Sequence, residues 1–338
     1  HCMVPPTVNP AYDYEYFKTI SKLDEENERT LKSTIDVYRK LGAILTFDCT
    51  PFFENNVPRF GEICSFSASG GAVYVNSVLG ARTNREAAQS AMCAAITGVT
   101  PEYGLLLEQN RAGDVLIQVE ADVDSEYDYE LLGYITPKKM GQAYHCPVFN
   151  GLSKQTTSEQ LMDLGTQLNI HGIVPMFHVV GVTPEAADVH TAFLGRKDPP
   201  VVTITNEDLA QARAEISAGT GKADFCILGC PHLTINQVGS IAKMLDGQQL
   251  AGQLYIFTST STKELAQRMG YLDIIHKAGG EIVINSCVDQ PCWSHLYGMS
   301  GVTESPKCAY YTKRWNMTFT VKSIPACIQS VLKGEIVS

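Results

Sequence analysis

The sequence predicts an α/β fold of several lobes, with parallel or mixed sheets flanked by helices. Short apolar runs that read as buried strands alternate with segments of helical spacing along most of the chain. In the last third they form successive strand–helix–strand crossovers, the pattern of a parallel sheet. The 338 residues exceed what one core usually serves, so we expect lobes near 1–138, 139–222 and 223–338.

In chain order, residues 24–41 carry apolar positions at helical spacing (Leu31, Ile35, Tyr38, Leu41) and lead into a short run at 43–47 that reads as a strand. The run 72–79 is continuously apolar enough to read as a second buried strand. Residues 86–97 predict a small-residue helix ended by Gly98, and 114–121 a strand. The stretch 136–151 holds Pro and Gly with few periodic positions, which places a lobe boundary there. Beyond it we expect a helix over 157–168, strands over 173–180 and 201–204, and a helix over 206–217 capped by Thr205 or Asn206. The final third reads as strand 223–228, helix 234–245, strand 254–257, helix 262–278 and strand 281–285.

Composition narrows the function. A formal net charge of −10 disfavours a nucleic-acid partner, which needs a basic face, but leaves room for a small anion held by a few arginines. No run approaches the ~18 apolar residues of a membrane span. Eleven cysteines, an odd number spread over a long chain, suit a reducing compartment, and no signal-peptide pattern opens the sequence. The expected location is the cytoplasm. The start at His1, inside an apolar segment, suggests that an N-terminal piece precedes it.

Three cysteines stand apart. Cys49, Cys230 and Cys287 each follow an expected strand by one or two residues. Ligands of open α/β sheets collect beyond the carboxyl ends of strands, so these thiols can converge. Soft thiolates in threes suggest iron or an iron–sulfur centre with an open position, whereas no C-x-x-C pattern supports a structural zinc. Pro231 after Cys230 suggests a helix start that stabilises a thiolate. Cys64, Cys93, Cys146, Cys226, Cys308 and Cys327 read as small core hydrophobes, and Cys292 as an auxiliary ligand at most.

Two polar segments, 56–62 and 76–86, are dense in anion-binding groups: Arg59 in the first, and Asn76, Ser77, Arg82, Thr83, Asn84 and Arg85 in the second. His178 reads equally as a core or a catalytic histidine. His232, two residues from Cys230, is better placed to donate a hydrogen bond behind a ligand. Lys307 follows a glycine-bearing loop and is a candidate for the cleft.

Together these segments resemble the aconitase X family, in particular its large subunit. The matching stretches include Cys49-Thr50-Pro51, residues 56–62, residues 76–86, Thr100-Pro101-Glu102-Tyr103-Gly104, Gly181-Val182-Thr183-Pro184-Glu185, Gly229-Cys230-Pro231-His232, Ser286-Cys287 and Ser305-Pro306-Lys307, in family order over nearly the whole chain. The resemblance implies an aconitase-like, iron-dependent hydro-lyase with Cys49, Cys230 and Cys287 on the metal, either a two-iron (2Fe-2S) cluster or a single iron. It implies removal of water from a small β-hydroxy acid: cis-3-hydroxy-L-proline, towards which the absence of an extra phosphate cradle leans, or mevalonate 5-phosphate as the alternative. By the same comparison the front end of the family and its small swivelling domain, with its catalytic serine, lie outside this sequence. A small-subunit partner is therefore expected. Lys307 and His178 are the in-chain candidates for catalysis; the arginines, Asn76, Ser77, Thr83 and Asn84 are those for substrate binding. The competing expectations are a non-catalytic iron-binding or redox-sensing protein and a zinc-stabilised binding protein.

Overall fold

A computed structural model describes residues 1–337. The chain divides into two compact units: His1–Pro6 with Pro51–Glu215, and Thr7–Thr50 with the chain from Ile216 onward. The α/β fold expected from the sequence is present in both, as two all-parallel sheets flanked by helices. No helix among the described residues is long and apolar enough to cross a membrane.

The first unit holds strands β1 (Val115–Val119), β2 (Pro147–Asn150), β3 (His178–Val179) and β4 (Val201–Ile204), in the order β3-β2-β1-β4. Helices Glu126–Met140 and Ser158–His171 provide the crossovers, each started by a reciprocal capping box, Ser125 with Asp128 and Thr157 with Gln160. They pack so closely that a Cβ on Gly133 would lie 2.6 Å from the Leu164 carbonyl oxygen.

Several expectations change here. Residues 72–79 lie mostly in a helix, Ser69–Ser77, not in a strand. Every position from Gly71 to Ser77 is buried, so no polar face reveals a helical period. The expected strand 173–180 shrinks to two residues. The boundary expected near residue 138 falls inside helix Glu126–Met140 and between β1 and β2, which pair in register. That helix is buried from Tyr129 through Pro137, and its proline sits in the last turn, where it imitates a loop signal.

The second unit carries β5 (Phe225–Leu233), β6 (Gln253–Thr258), β7 (Gly280–Val283), β8 (Ser300–Thr303) and β9 (Thr318–Val321), in the order β7-β6-β5-β8-β9. Alternation puts Cys226, Leu228, Leu254 and Ile256 against Val238, Ile241 and Ile328 on one face. Phe225, Ile227, Tyr255 and Phe257 meet Phe17, Trp293 and Leu296 on the other. Both faces are covered, as parallel sheets require. The single helix expected over 262–278 is two, Thr260–Arg268 and Tyr271–Ala278, broken at Gly270 with φ +77°. Residues 24–41 form the expected helix Glu25–Leu41, capped by Asp24 and by left-handed Gly42. Residues 43–47, however, make only one bridge, Thr7 to Ile44, and Phe47 has φ 43°.

Candidate metal centre

Strand β5 is the topological switch of its sheet: the chain proceeds from it to β6 and β7 on one side, then to β8 and β9 on the other. The crevice beyond the carboxyl ends at such a point is where open α/β sheets bind ligands. Pairing of β5 with β6 slips between Leu228 and Leu233, and Cys230 lies in that bulge. Gly229 makes the bulge possible. Its φ of +111° is left-handed territory, and a Cβ there would sit 2.3 Å from the Phe257 carbonyl oxygen. Cys230 is therefore not at a helix start, as Pro231 had suggested; the next helix begins at Ile235, capped by Thr234. Its local support is Glu304, just past β8, whose Oε1 accepts the backbone N–H groups of Gly229 (2.7 Å) and Cys230 (3.2 Å). Burial pushes the Glu304 carboxyl above its usual range, partly offset by those bonds.

Cys49 and Cys287 arrive from separate loops of the same unit. Cys49 Sγ accepts the backbone N–H of His232 at 3.3 Å. Cys287 follows Ser286, which bridges to Ala11, and its own N–H is held by the Ala11 carbonyl at 2.8 Å. Burial raises the Cys287 thiol to about 11, eased by a backbone hydrogen bond from Asp289 and raised further by Cys49. Burial also raises Cys230; Lys307 draws it back, while Cys287 and Cys49 push it up. Each of the three thiols thus stands within electrostatic reach of the others. Lys307, in the helix Pro306–Tyr311 after β8, sits close enough to favour the Cys230 thiolate.

Behind the thiols lies a buried ion pair. His232 Nδ1 meets Asp48 Oδ1 at 2.8 Å, and its Nε2 donates to the Ser286 carbonyl at 2.8 Å. Burial opposes charge on this imidazole, but Cys49 and Asp48 hold its pKa well above the ordinary value. Burial likewise opposes the Asp48 carboxylate, yet bonds from His232 and from the Thr50 N–H and hydroxyl keep its pKa low. Asp48 Oδ2 is buried with no hydrogen-bond partner among the described residues. Ligand atoms of Asp48, Cys49 and His232 lie within 4.8 Å of one another. Half-buried thiols beside an imidazole and an orphaned carboxylate oxygen are a donor set that fits a metal cation. Cys292, the auxiliary ligand expected from the sequence, is fully buried in the core around Trp293.

The remaining sequence-derived candidates, apart from Lys307, belong to the first unit. Asn76 is fully buried and its amide is spent: Nδ2 donates to the carbonyls of Thr83 (2.8 Å) and Pro175 (3.1 Å), and Oδ1 accepts from Thr83 N–H and Arg111. Ser77 accepts the Phe177 N–H, Thr83 joins Phe66 to Asn84, and Asn84 holds Tyr103 and Leu105. These hydrogen bonds shape the loop that carries the arginines. Arg82 bonds the Leu106 carbonyl (3.1 Å) and pairs with Glu108, and Arg85 donates to Asn169 at 3.0 Å. Arg59 is exposed, its backbone N–H held by Glu62. His178 lies in β3, its Nε2 donating to the Arg111 carbonyl at 2.8 Å; burial pushes its pKa down, so the ring is neutral. Its other nitrogen is buried without a partner, a placement that suits the core reading better than the catalytic one.

Sequence reasoning missed Arg111, Asp48 and Glu304. Arg111, 1% exposed, forks onto Glu185 through contacts of 2.8 to 3.0 Å and donates to Leu105 and Asn76 carbonyls. No local pattern announces it. Asp48 was announced only by its adjacency to Cys49, and Glu304 by lying next to the Ser305-Pro306-Lys307 segment.

Three family models cover nearly the whole chain: the aconitase X first domain matches residues 1–109, the second 113–214 and the third 223–333. The chain belongs to the aconitase X family. The phosphomevalonate dehydratase large subunit of Thermococcus kodakarensis is 34% identical over 90% of this chain and 78% of its own length. The protein of that name from Methanothermobacter thermautotrophicus is 36% identical over 91% of this chain and 75% of its own length. The cis-3-hydroxy-L-proline dehydratase of Pseudomonas aeruginosa is 34% identical, over 75% of this chain and 45% of its own length. The crystal structure of Thermococcus kodakaraensis aconitase X in its holo form superposes with a TM-score of 0.85 at 31% identity, covering 98% of this chain and 81% of that one. As a member of the aconitase X family, the chain is a dehydratase, a hydro-lyase.

Proposed function

We propose that this chain is the large, catalytic subunit of a phosphomevalonate dehydratase. Cys49, Cys230 and Cys287 hold its iron, and a small subunit completes the enzyme. The observation that carries the reading is the combination of identity and coverage: 34% and 36% over nine-tenths of the chain for two phosphomevalonate dehydratase large subunits, against 34% over 75% and 29% over 88% for the hydroxyproline enzymes of Pseudomonas aeruginosa and Hypocrea jecorina. The lean of the residues towards cis-3-hydroxy-L-proline yields to it. That lean rested on the lack of a phosphate cradle, a weak criterion when a few arginines suffice.

Cys49, Cys230 and Cys287 would hold the iron, as a cluster or a single ion, and when bound it would supply Lewis acidity for the departure of a β-hydroxyl as water. The chain's own groups create the conditions for this. The Lys307 ammonium offsets thiolate charge at Cys230. Arg59, Arg82 and Arg85 are assigned to anion recognition, where guanidinium forks suit carboxylate and phosphate oxygens. Asn76, Ser77, Thr83 and Asn84 hold the backbone that presents two of them. Removal of the weakly acidic α-proton needs a positioned base, and the partner's serine is assigned that task.

The test is anaerobic co-purification with the small subunit, followed by metal analysis and assay of both acids. Turnover of mevalonate 5-phosphate is expected. Turnover of cis-3-hydroxy-L-proline alone would reverse the substrate assignment, and turnover of neither in an iron-loaded pair would favour a non-catalytic iron protein.

A further inference from the structure

One side chain touches the flanks of all three cysteine loops. His232 lies two residues beyond Cys230. Its Nδ1 contacts Asp48, the residue before Cys49, and its Nε2 contacts the carbonyl of Ser286, the residue before Cys287. Its backbone N–H donates to Cys49 Sγ itself. The ring is fully enclosed, with side-chain exposure of 1%, as is that of Asp48. We propose that His232 is the positioning residue of the metal centre: its imidazole cross-braces the Cys49, Cys230 and Cys287 loops so that three thiols from distant parts of the sequence meet in one ligand set. This rests on the reading of those cysteines as iron ligands and adds to it the device that assembles them.

The hydrogen-bond pattern gives the brace its direction. A carbonyl oxygen only accepts, so Nε2 carries a proton towards Ser286. Asp48 Oδ1 already accepts the Thr50 N–H (2.9 Å) and hydroxyl (3.0 Å), so it faces Nδ1 as an anchored acceptor. Both ring nitrogens are therefore committed, and ring rotation would break two buried contacts at once. Groups that orient metal ligands from behind typically change metal affinity 10–100-fold when replaced. A second restraint exists: the segment from Val8 to Asp13 bonds Thr46, Asp48, Ser286 and Cys287. It links the Cys49 and Cys287 loops to one another, and His232, through its imidazole and its backbone N–H on Cys49 Sγ, joins the Cys230 loop to both.

The experiment measures ferrous iron binding to the full chain under anaerobic conditions, by competition with a coloured chelator, together with the iron–thiolate absorption bands. His232→Gln is expected to weaken iron binding at least tenfold and to alter those bands. Asp48→Asn leaves Oδ1 to accept from Thr50 and from the imidazole but removes the carboxylate charge that holds the ring, and is expected to weaken iron binding by a smaller factor, though by more than about twofold. The double variant is expected to be no worse than the weaker single one, because both cut one brace. Melting of the iron-free chains is the control. Variants that melt lower yet bind iron within twofold of the wild type, with unchanged bands, would show a merely structural histidine and overturn the proposal, as would additive losses in the double variant. Should His232→Gln fail to fold, Asp48→Asn alone decides. The measurement uses neither substrate nor partner, so a failed dehydration assay leaves it standing; a wild-type chain that binds no iron would overturn both this proposal and the metal reading.

Discussion

Replacing Glu304 tests the bulge that presents Cys230. Its carboxylate is 5% exposed, and one oxygen accepts two backbone N–H groups, from Gly229 and Cys230, at 2.7 and 3.2 Å. The other oxygen takes the Thr303 hydroxyl at 3.3 Å. Glu304→Ala leaves both N–H groups without that acceptor. A buried donor without a partner costs about 1–3 kcal/mol, so the pair sums to roughly 2–6 kcal/mol. The longer bond contributes less, and part of the cost is recovered because a carboxyl disfavoured by burial is removed; we therefore expect about 2–4 kcal/mol. Glu304→Gln keeps a carbonyl oxygen in the same place and leaves Thr303 a group to bond, so its expected cost is below ~1 kcal/mol. Urea unfolding of the iron-free chains measures both values, and iron content after anaerobic reconstitution reads the consequence at Cys230. The alanine variant is expected to lose iron and the glutamine variant to retain it. An alanine variant within ~0.5 kcal/mol of the wild type, or a glutamine variant as damaged as alanine, would refute the argument that an acceptor for these N–H groups is what matters.

Cys230→Ser is expected to remove bound iron and activity while urea unfolding stays close to the wild type; full metal content in that variant would remove Cys230 from the ligand set. Arg111→Met leaves the Glu185 carboxylate and two carbonyls without their partner in the first unit, and is expected to cost about 3–5 kcal/mol in chemical denaturation. Arg111→Lys is expected to recover only part of this, because an ammonium cannot form the fork. His178 gives a pH signature of known sign. Burial lowers its folded pKa beneath the ordinary 6.5, so below about that pH the unfolded chain binds a proton that the folded chain refuses. Stability is therefore lost as pH falls from 6.5 towards the folded value, by at most ~1.4 kcal/mol per pH unit. His178→Gln is expected to flatten this slope in urea titrations between pH 7 and 5, and an unchanged slope would contradict a buried neutral ring.

What the sequence revealed of the fold follows the physics of exposure. The crossovers from β5 to β6 and β7 were readable because their helices keep a wet face: Ile235–Leu245 alternates buried Val238, Ile241 and Ala242 with exposed Ser240 and Lys243, whereas β8, β9 and the helices that follow them were missed. The strands of those crossovers were equally plain, being short β-branched or aromatic runs between glycines. Ser69–Ser77 and Glu126–Met140 were not readable, because helices enclosed on nearly every side lose the polar stripe that betrays a 3.6-residue period. Residues 43–47 failed for the opposite reason. They have a strand's composition but no neighbour to pair with beyond Thr7, and strand propensity expresses itself only through a partner.

The site divides along a similar line. Cys49, Cys230 and Cys287, proposed above as ligands, could be singled out because thiol chemistry is rare, although the strand expected before Cys49 does not form and Cys230 lies within β5 rather than past its end. The groups that hold them were not visible, since Glu304 acts on backbone N–H groups 74 or more positions away in sequence, and His232 reaches Asp48 across 184. No periodicity records such bonds; they exist only once parallel crossovers have delivered β5, β7 and β8 to one edge. This explains why the polar residues Asn76, Thr83 and Asn84 were assigned outward, to a ligand, when their bonds run inward. A short polar side chain beside an arginine presents the same pattern in sequence whether it meets a substrate or a carbonyl of its own loop, and burial decides between the two. In this chain Asn76 is 0% exposed and both its amide atoms are committed within its own loop, so its burial assigns it to the fold rather than to a ligand.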